Sequence, residues 1–176
     1  MKLIDCSTRN HPNTFAMVDD EDFDSLNQWK WGNRTKKRET SYAVRHVGHG
    51  KKQKTILMHR QLLNPEKNQL VDHIDRNGLN NQRSNIRVCS IQQNSYNIRP
   101  KRNGSSRYKG VYWSKVGKVW IAKIKANNKN IQLGRFNDEA EAAKVRDLAS
   151  IKYHGDFAYL NFPSIALQRR ERSGRG

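Results

Sequence analysis

The residues able to do chemistry lie in one string, Val71-Asp72-His73-Ile74-Asp75-Arg76-Asn77-Gly78, followed by Asn80, Asn81, Asn85 and Arg87 and, further on, Gln93-Asn94. Asp72 and His73 are adjacent on what reads as an extended segment, so their side chains leave on opposite sides. Hydrolysis of a phosphodiester uses that division. A hard oxygen ligand holds a divalent cation against the scissile phosphate while an imidazole takes a proton from water. Ser90 followed by Gln93 marks a capping box, and the helix it opens presents Asn94 one turn in, where its carbonyl oxygen is a candidate second ligand. Mg²⁺ tolerates such sparse protein ligation because water and phosphate complete its shell. The same residues also read as a hydrogen-bonded Asp-His pair beside a set of Asn turns, and spacing alone leaves both readings open.

The elements that must position this string read as α+β. Upstream, hydrophobic alternation predicts short strands over 15–18, 42–46 and 55–58, the last two across a Gly48/Gly50 turn, with a brief helix over 22–31. This lead-in, 1–57, carries no chemistry, and its acidic run Asp19-Asp20-Glu21-Asp22 reads as a solvated helix start. Residues 58–98 are loop-rich and Asn-dense. His59 reads as a packed structural histidine and Arg60 as a phosphate contact, while His11, His46, His49 and His154 read as surface or capping residues. A polar, basic linker at 99–106 has no periodicity and marks the main boundary. From 107 to 163 three period-2 segments at 109–113, 119–125 and 130–133 are separated by turns at Gly117 and Asn127-Asn128, which predicts an antiparallel meander. A helix over 138–153 follows, capped by Asn137 or Asp138, stopped at Gly155, and able to lie close to the sheet through Ala140, Ala142, Ala143 and Ala149. Residues 164–176 read as a basic, disordered tail. No internal repeat is visible.

Charge narrows the partner. With 34 Lys+Arg against 16 Asp+Glu the formal charge is +18, which predicts a polyanion, either nucleic acid or an anionic membrane surface. No acidic residue stands between Asp75 and Asp138, and in that interval Lys and Arg alternate with Tyr108, Tyr112, Trp113 and Trp120, a composition that favours nucleic acid over a mixed-sign solvated face. No apolar run approaches the roughly 18 residues of a membrane span, and the first residues lack a signal-peptide core, so membrane insertion and secretion are not expected. Cys6 and Cys89 form no CxxC pair, which argues against a disulfide framework or a Cys-based zinc site and for a reducing compartment.

Asp72-His73-Ile74-Asp75, the Asn-containing loop, Asn85-Ile86-Arg87 and the helix carrying Asn94 resemble, over 58–98, the HNH nuclease family in its subgroup related to phage intron homing endonucleases. The resemblance implies a ββα-metal module in which Asp72 and Asn94 are metal ligands, His73 is the general base, and Asn85 braces the loop and orients His73. Asn94 stands where many members carry His, which tilts the metal toward Mg²⁺ or Mn²⁺. Arg87 is assigned to DNA. Downstream, Tyr108-Lys109-Gly110-Val111, Trp120-Ile121-Ala122-Lys123-Ile124, Leu133-Gly134-Arg135-Phe136, Glu141-Ala142-Ala143 and Leu160-Asn161-Phe162-Pro163 resemble the AP2 DNA-binding domain over about 106–163. That likeness implies a three-stranded sheet packed on one helix and docked on DNA, with contacts at Lys109, Tyr112, Ser114, Lys123, Lys125, Asn130 and Gln132. Together the resemblances imply a cytoplasmic bacterial or phage endonuclease, monomeric on double-stranded DNA and without a small-molecule cofactor. The competing expectation is a non-catalytic, sequence-specific DNA-binding regulator.

Overall fold

The computed structural model describes residues 1–35, 40–100 and 103–165. Lys101 and Arg102 of the expected linker and nearly all of the expected basic tail lie outside the described residues. The chain is mixed α+β, with several small antiparallel sheets and few helices, and it divides into two compact units, Met1–Asn94 and Ser95–Gly176. Among the described residues no helix is long and apolar enough to cross a membrane.

In the first unit, β1 (Lys2–Asp5) pairs with β2 (Phe15–Val18), and α1 (Asp20–Asn27) follows directly. The helix begins earlier and ends earlier than the expected 22–31. At its end the Leu26 carbonyl accepts from the Trp29 amide at 3.1 Å and from the Trp31 indole Nε1 at 2.8 Å, so Trp31 folds back over the last turn. A three-stranded sheet comes next: β3 (Gly32–Thr35), β4 (Ser41–Val47) and β5 (Lys54–Leu57), with β4 central. Period-2 alternation shows β4 and β5, whereas β3, Gly-Asn-Arg-Thr, has no apolar residue to alternate and β1, Lys-Leu-Ile-Asp, sets its two apolar residues side by side. Also unanticipated is α2 (Met58–Leu63), a single apolar turn and a half that ends on Asn64 in the left-handed region at φ 41° just before Pro65. The ribbon of β6 (Leu70–His73) and β7 (Ile86–Cys89) and the start of α3 (Ile91–Tyr96) complete the unit. Its core joins Ile4, Ala16 and Val18 of the lead-in to Leu26, Trp31 and Met58, and Leu79 of the Asn-rich loop packs against the same cluster. The lead-in is therefore the floor on which the motif is built.

In the second unit β8 (Val111–Ser114), β9 (Val119–Ala126) and β10 (Lys129–Phe136) form the expected meander with β9 in the centre. Asn127 and Asn128, at φ 49° and 60°, make the two-residue turn between β9 and β10. The helix α4 (Glu139–His154) is capped by Asp138, whose carboxylate accepts from the Glu141 amide at 2.7 Å. Ala142 and Ala143 are fully buried against Val111 and Ala122, so small side chains set the close helix-to-sheet approach. The same helix face carries a buried ion pair that periodicity did not show. Arg146 bonds the Tyr159 carbonyl and lies 3.3 Å from Asp147, while Asp147 accepts from Asn161 Nδ2 at 3.0 Å and from the Phe162 amide at 2.8 Å. The Leu-Asn-Phe block thus pins the chain after α4 to the sheet, since Asn161 Oδ1 also accepts from the Lys109 amide at 2.7 Å. Gly110, at φ 78°, admits no side chain, because a Cβ there would sit 2.6 Å from the Lys123 carbonyl oxygen.

Candidate functional site

The register of the β6–β7 ribbon sets Asp72 opposite Arg87 and His73 opposite Ile86. Successive side chains on a strand point to opposite faces, so Asp72 and His73 are divided between two faces, as their adjacency implies. Both are buried. Arg87, expected on DNA, lies on Asp72: Nε and Nη2 donate to Asp72 Oδ2 at 3.1 and 2.7 Å, and the two side chains are only 18% and 7% exposed.

On the other face, the His73 imidazole sits edge-on to His59, with ring centroids 4.9 Å apart at 87°, and Tyr42 closes the third side at 5.9 Å from His73 and 5.6 Å from His59. Burial holds the pKa of His73 below the ordinary imidazole value, against the opposing effect of the Asn81 side chain and of Asp75 and Asp72. The ring is therefore a neutral, proton-accepting imidazole at pH 7. His59 is pushed down further, to about 3, first by burial and then by the neighbouring His73 and Arg60. It is packed, as its sequence context suggested. The Arg60 guanidinium bonds the carbonyls of Gln69 at 2.9 Å and Glu66 at 3.4 Å, tying α2 to the entrance of β6.

Asn85 lies at the hinge of the loop between the strands. Its Oδ1 accepts from the Asp75 amide at 3.0 Å, and its Nδ2 donates to Asp75 Oδ1 at 2.9 Å and to the Asn80 carbonyl at 2.8 Å, while the Ile74 amide donates to the Asn85 carbonyl at 2.8 Å. Asp75 is an equal partner that sequence reading left without a role. Its carboxylate also accepts from the Asn77 amide and from Asn80 Nδ2, both at 2.8 Å. Burial raises its pKa, and these hydrogen bonds outweigh that, leaving it below the usual carboxylate value.

The loop is fastened to the lead-in. The Met17 amide donates to the Leu79 carbonyl and the Asn81 amide to the Met17 carbonyl, both at 2.8 Å. Asp19 accepts from the Arg83 amide at 2.7 Å and from Gln82 Nε2 at 3.2 Å, and Asp22 takes the Arg83 guanidinium. The acidic run is accordingly a docking site for the loop rather than only a solvated helix start. Nothing in one dimension links Asp22 to a residue so far along the chain.

Asn94 lies one turn into α3. The predicted capping box is formed, with Ser90 Oγ accepting from the Gln93 amide at 3.1 Å and Gln93 Oε1 accepting from the Ser90 amide at 2.9 Å. The ribbon thus joins Asp72 to Arg87 on one face and turns His73 toward His59 and Tyr42 on the other, Asn85 braces the loop through Asp75, and the capped helix carries Asn94 soon after β7.

In the second unit, β9 pairs Lys123 with Gln132 and Lys125 with Asn130, and β8 pairs Tyr112 with Ile121 and Ser114 with Val119. By alternation, Tyr112, Ser114, Lys123, Lys125, Asn130 and Gln132 all stand on the face away from α4. Lys123 Nζ lies 4.7 Å over the Tyr112 ring. Arg135, opposite Ile121, shares that face by register and was not among the expected contacts. Lys109 is a correction. Its ammonium donates to the carbonyls of Tyr96 and Ile98, both at 2.7 Å, and of Ser95 at 3.3 Å, an arrangement that satisfies the carbonyls left open where α3 ends. His154 is another: it is buried, stacked on Tyr96 at 3.6 Å and 8°, with Nε2 against the Lys125 carbonyl at 2.9 Å. Burial lowers its pKa, the Lys125 carbonyl partly opposing and Arg146 and Lys109 adding to the depression.

No family model matches the sequence. The chain is 32% identical over 88 residues to protein 3.8 of Escherichia phage T7, an alignment that takes in 50% of this chain and 72% of that protein. The chain belongs to the protein 3.8 family. It is also similar to an uncharacterised HNH endonuclease of Acanthamoeba polyphaga mimivirus, 36% identical over 92 residues, 52% of this chain and 46% of that one. A third similarity is to an AP2/ERF and B3 domain-containing protein of Oryza sativa subsp. japonica, 42% identical over 67 residues, 38% of this chain and 18% of the rice protein. The protein 3.8 family member thus spans less than half of either of these two relatives.

Proposed function

We propose that the chain is a metal-dependent DNA endonuclease that nicks one strand per active site, with the open sheet face of the second unit holding duplex DNA. The observation that carries the proposal is the division across β6: a buried carboxylate on one face and a buried neutral imidazole on the other, at the mouth of a loop locked by Asn85 and Asp75. Similarity to a protein named as an HNH endonuclease supports the first half, and similarity to a protein named for its AP2/ERF and B3 domains supports the second.

The donor set fits a hard divalent ion. Among the described residues no group of three or more His, Cys, Asp or Glu is placed to hold a metal, so the ligands would be Asp72 and the Asn94 amide oxygen, with water and phosphate completing the shell. Both candidate ligands are hard oxygen donors, the kind that an ion of the Mg²⁺ class takes. When bound, Mg²⁺ or Mn²⁺ supplies electrostatic stabilisation of the developing phosphorane charge and of the leaving 3′-oxygen. His73 accepts the proton of the attacking water, for which its depressed pKa keeps it ready. Asn85 holds the loop, and with it the direction of the imidazole. The products are 5′-phosphate and 3′-hydroxyl ends.

One observation favours a second reading, the non-catalytic DNA-binding regulator: Arg87 already neutralises Asp72, and a carboxylate so paired has no need of a metal. A supercoiled-plasmid assay separates the two. The nuclease converts supercoiled to open circles only with Mg²⁺ or Mn²⁺, and His73→Ala slows this by about 10²–10⁴-fold with DNA affinity retained. Absence of any metal-dependent nicking by the wild type would leave the regulator.

A further inference from the structure

Resting on the nuclease role of Asp72, we infer that Arg87 is an exchange cation: it occupies Asp72 while the site is metal-free and moves to a phosphate of the DNA when a divalent ion takes the carboxylate. The geometry makes the two cations competitors. Both N–H groups of the fork converge on one oxygen, Asp72 Oδ2, at 3.1 and 2.7 Å. An ion of the Mg²⁺ class binds a carboxylate oxygen at about 2.0–2.1 Å and requires near-octahedral room around it. Two guanidinium N–H groups and such an ion cannot share that oxygen's lone pairs, and an ion on the other carboxylate oxygen would still stand a few ångströms from the guanidinium in a buried site, where the two positive charges repel.

The displaced guanidinium has a destination. Arg87 stands directly across the ribbon from Asp72 and shares its face by register, so a phosphate brought to a metal ion on Asp72 would arrive on the face that carries Arg87. The planar fork of Arg matches phosphate oxygens as well as it matches a carboxylate. Exchange therefore couples the ligands. Metal arriving at Asp72 releases a cation for DNA, and DNA drawing Arg87 away exposes Asp72 to metal, so each raises the affinity for the other. A basic chain would gain from this device, because the buried Asp72 is never left uncompensated while metal is absent.

The test measures metal binding on the full chain without DNA, using Mn²⁺ alone followed by electron paramagnetic resonance, for wild type, Arg87→Gln, Arg87→Lys and Asp72→Asn. Removal of the competitor in Arg87→Gln should tighten Mn²⁺ at least about tenfold. Arg87→Lys, which keeps the charge without the fork, should fall between. Thermal melting guards against misfolding: Mn²⁺ should raise the melting temperature of Arg87→Gln more than that of wild type, since metal alone then neutralises Asp72. In metal-free buffer, Asp72→Asn should bind duplex DNA more tightly than wild type and steepen the slope of log affinity against log salt by about 0.9, the share of one released cation. Arg87→Gln that binds Mn²⁺ no tighter than wild type, or Asp72→Asn with an unaltered salt slope, overturns the exchange while leaving the nuclease reading in place. Asp72→Asn that binds Mn²⁺ as wild type does removes the nuclease assignment of Asp72 itself.

Discussion

Arg83 grips Asp22 across the first unit, Nε and Nη2 standing 2.8 and 2.7 Å from the two oxygens of a carboxylate that is itself buried. With Asp19 accepting from the Arg83 amide, α1 and its cap hold the far end of the loop whose near end carries His73. Such a bidentate pair fixes direction as well as distance, which a single contact would not.

Truncation of that grip should loosen the loop without touching the reacting groups. Arg83→Ala leaves a buried carboxylate without its cation, and because Arg83 is half exposed, water recovers part of the loss. We expect destabilisation of about 1–3 kcal/mol. Hydrogen exchange should speed at the amides of Met17, Asn81 and Arg83, each bonded between the loop and the lead-in. Unchanged exchange at these three amides would show that Met17 alone suffices to dock the loop.

Gly78 offers a sharper probe of the same docking. A Cβ at this position would lie 2.5 Å from the Ser41 carbonyl oxygen and 2.6 Å from the Tyr42 ring, and a backbone oxygen in a sheet cannot step aside cheaply. Gly78→Ala should therefore displace either the loop or β4, costing about 1–3 kcal/mol as over-packed sites do. Since Tyr42 also packs on His73 and His59, the proposed cleavage should fall more steeply than stability does. Urea melts read beside nicking rates compare the two directly, and a fully active variant would mean that the loop tolerates a shift His73 does not feel.

What could be read in one dimension follows from how local the cause is. The β9–β10 hairpin was legible because alternation and the Asn127-Asn128 turn are written within a dozen residues, and so was the Ser90/Gln93 cap. Asp72, His73, Asn85 and Asn94 were picked out by motif, and the register sets Asp72 and His73 on opposite faces of β6 with Asn85 just before β7. The Arg83–Asp22 and Arg87–Asp72 pairs were invisible, because charged residues on short strands and helix starts look solvated until a partner arrives from elsewhere in the chain. Lys109 shows the opposite failure. The AP2 likeness implied a DNA contact there, but the three carbonyls at the end of α3 take its ammonium.

His59 gives the first unit a signed pH dependence. Its pKa is ordinary, near 6.5, in the unfolded chain and falls to about 3 in the folded one, so below pH 6.5 the unfolded state takes up more protons. Stability from this group is fully present above pH 6.5 and is lost as the pH falls from there toward 3, at no more than about 1.4 kcal/mol per pH unit. Among the described residues its buried Nδ1 finds no hydrogen-bond partner, so His59→Phe, similar in shape and without the polar atom, should be nearly neutral at pH 7. The variant should then exceed the wild type in stability at pH 5. Melts at the two pH values decide it, and parallel losses in both proteins would exclude His59 as the source.

The sheet of the second unit can be tested by contrasting two lysines that look alike in sequence. Lys123 stands on the open face beside Tyr112 and Gln132, while the Lys109 ammonium is enclosed by the carbonyls of Ser95, Tyr96 and Ile98. A side chain that neutralises a phosphate releases a counterion, and its loss flattens the slope of log affinity against log salt by about 0.9. Lys123→Ala should show that change with little effect on melting. Lys109→Ala should do the reverse, lowering the melting temperature because three carbonyls lose their donor while leaving the salt slope as it was. Titrations of duplex DNA at several salt concentrations, paired with thermal melts of both variants, distinguish the roles. If Lys109→Ala flattened the slope and Lys123→Ala did not, the proposed docking of duplex DNA on the open face of β8–β10 would fall.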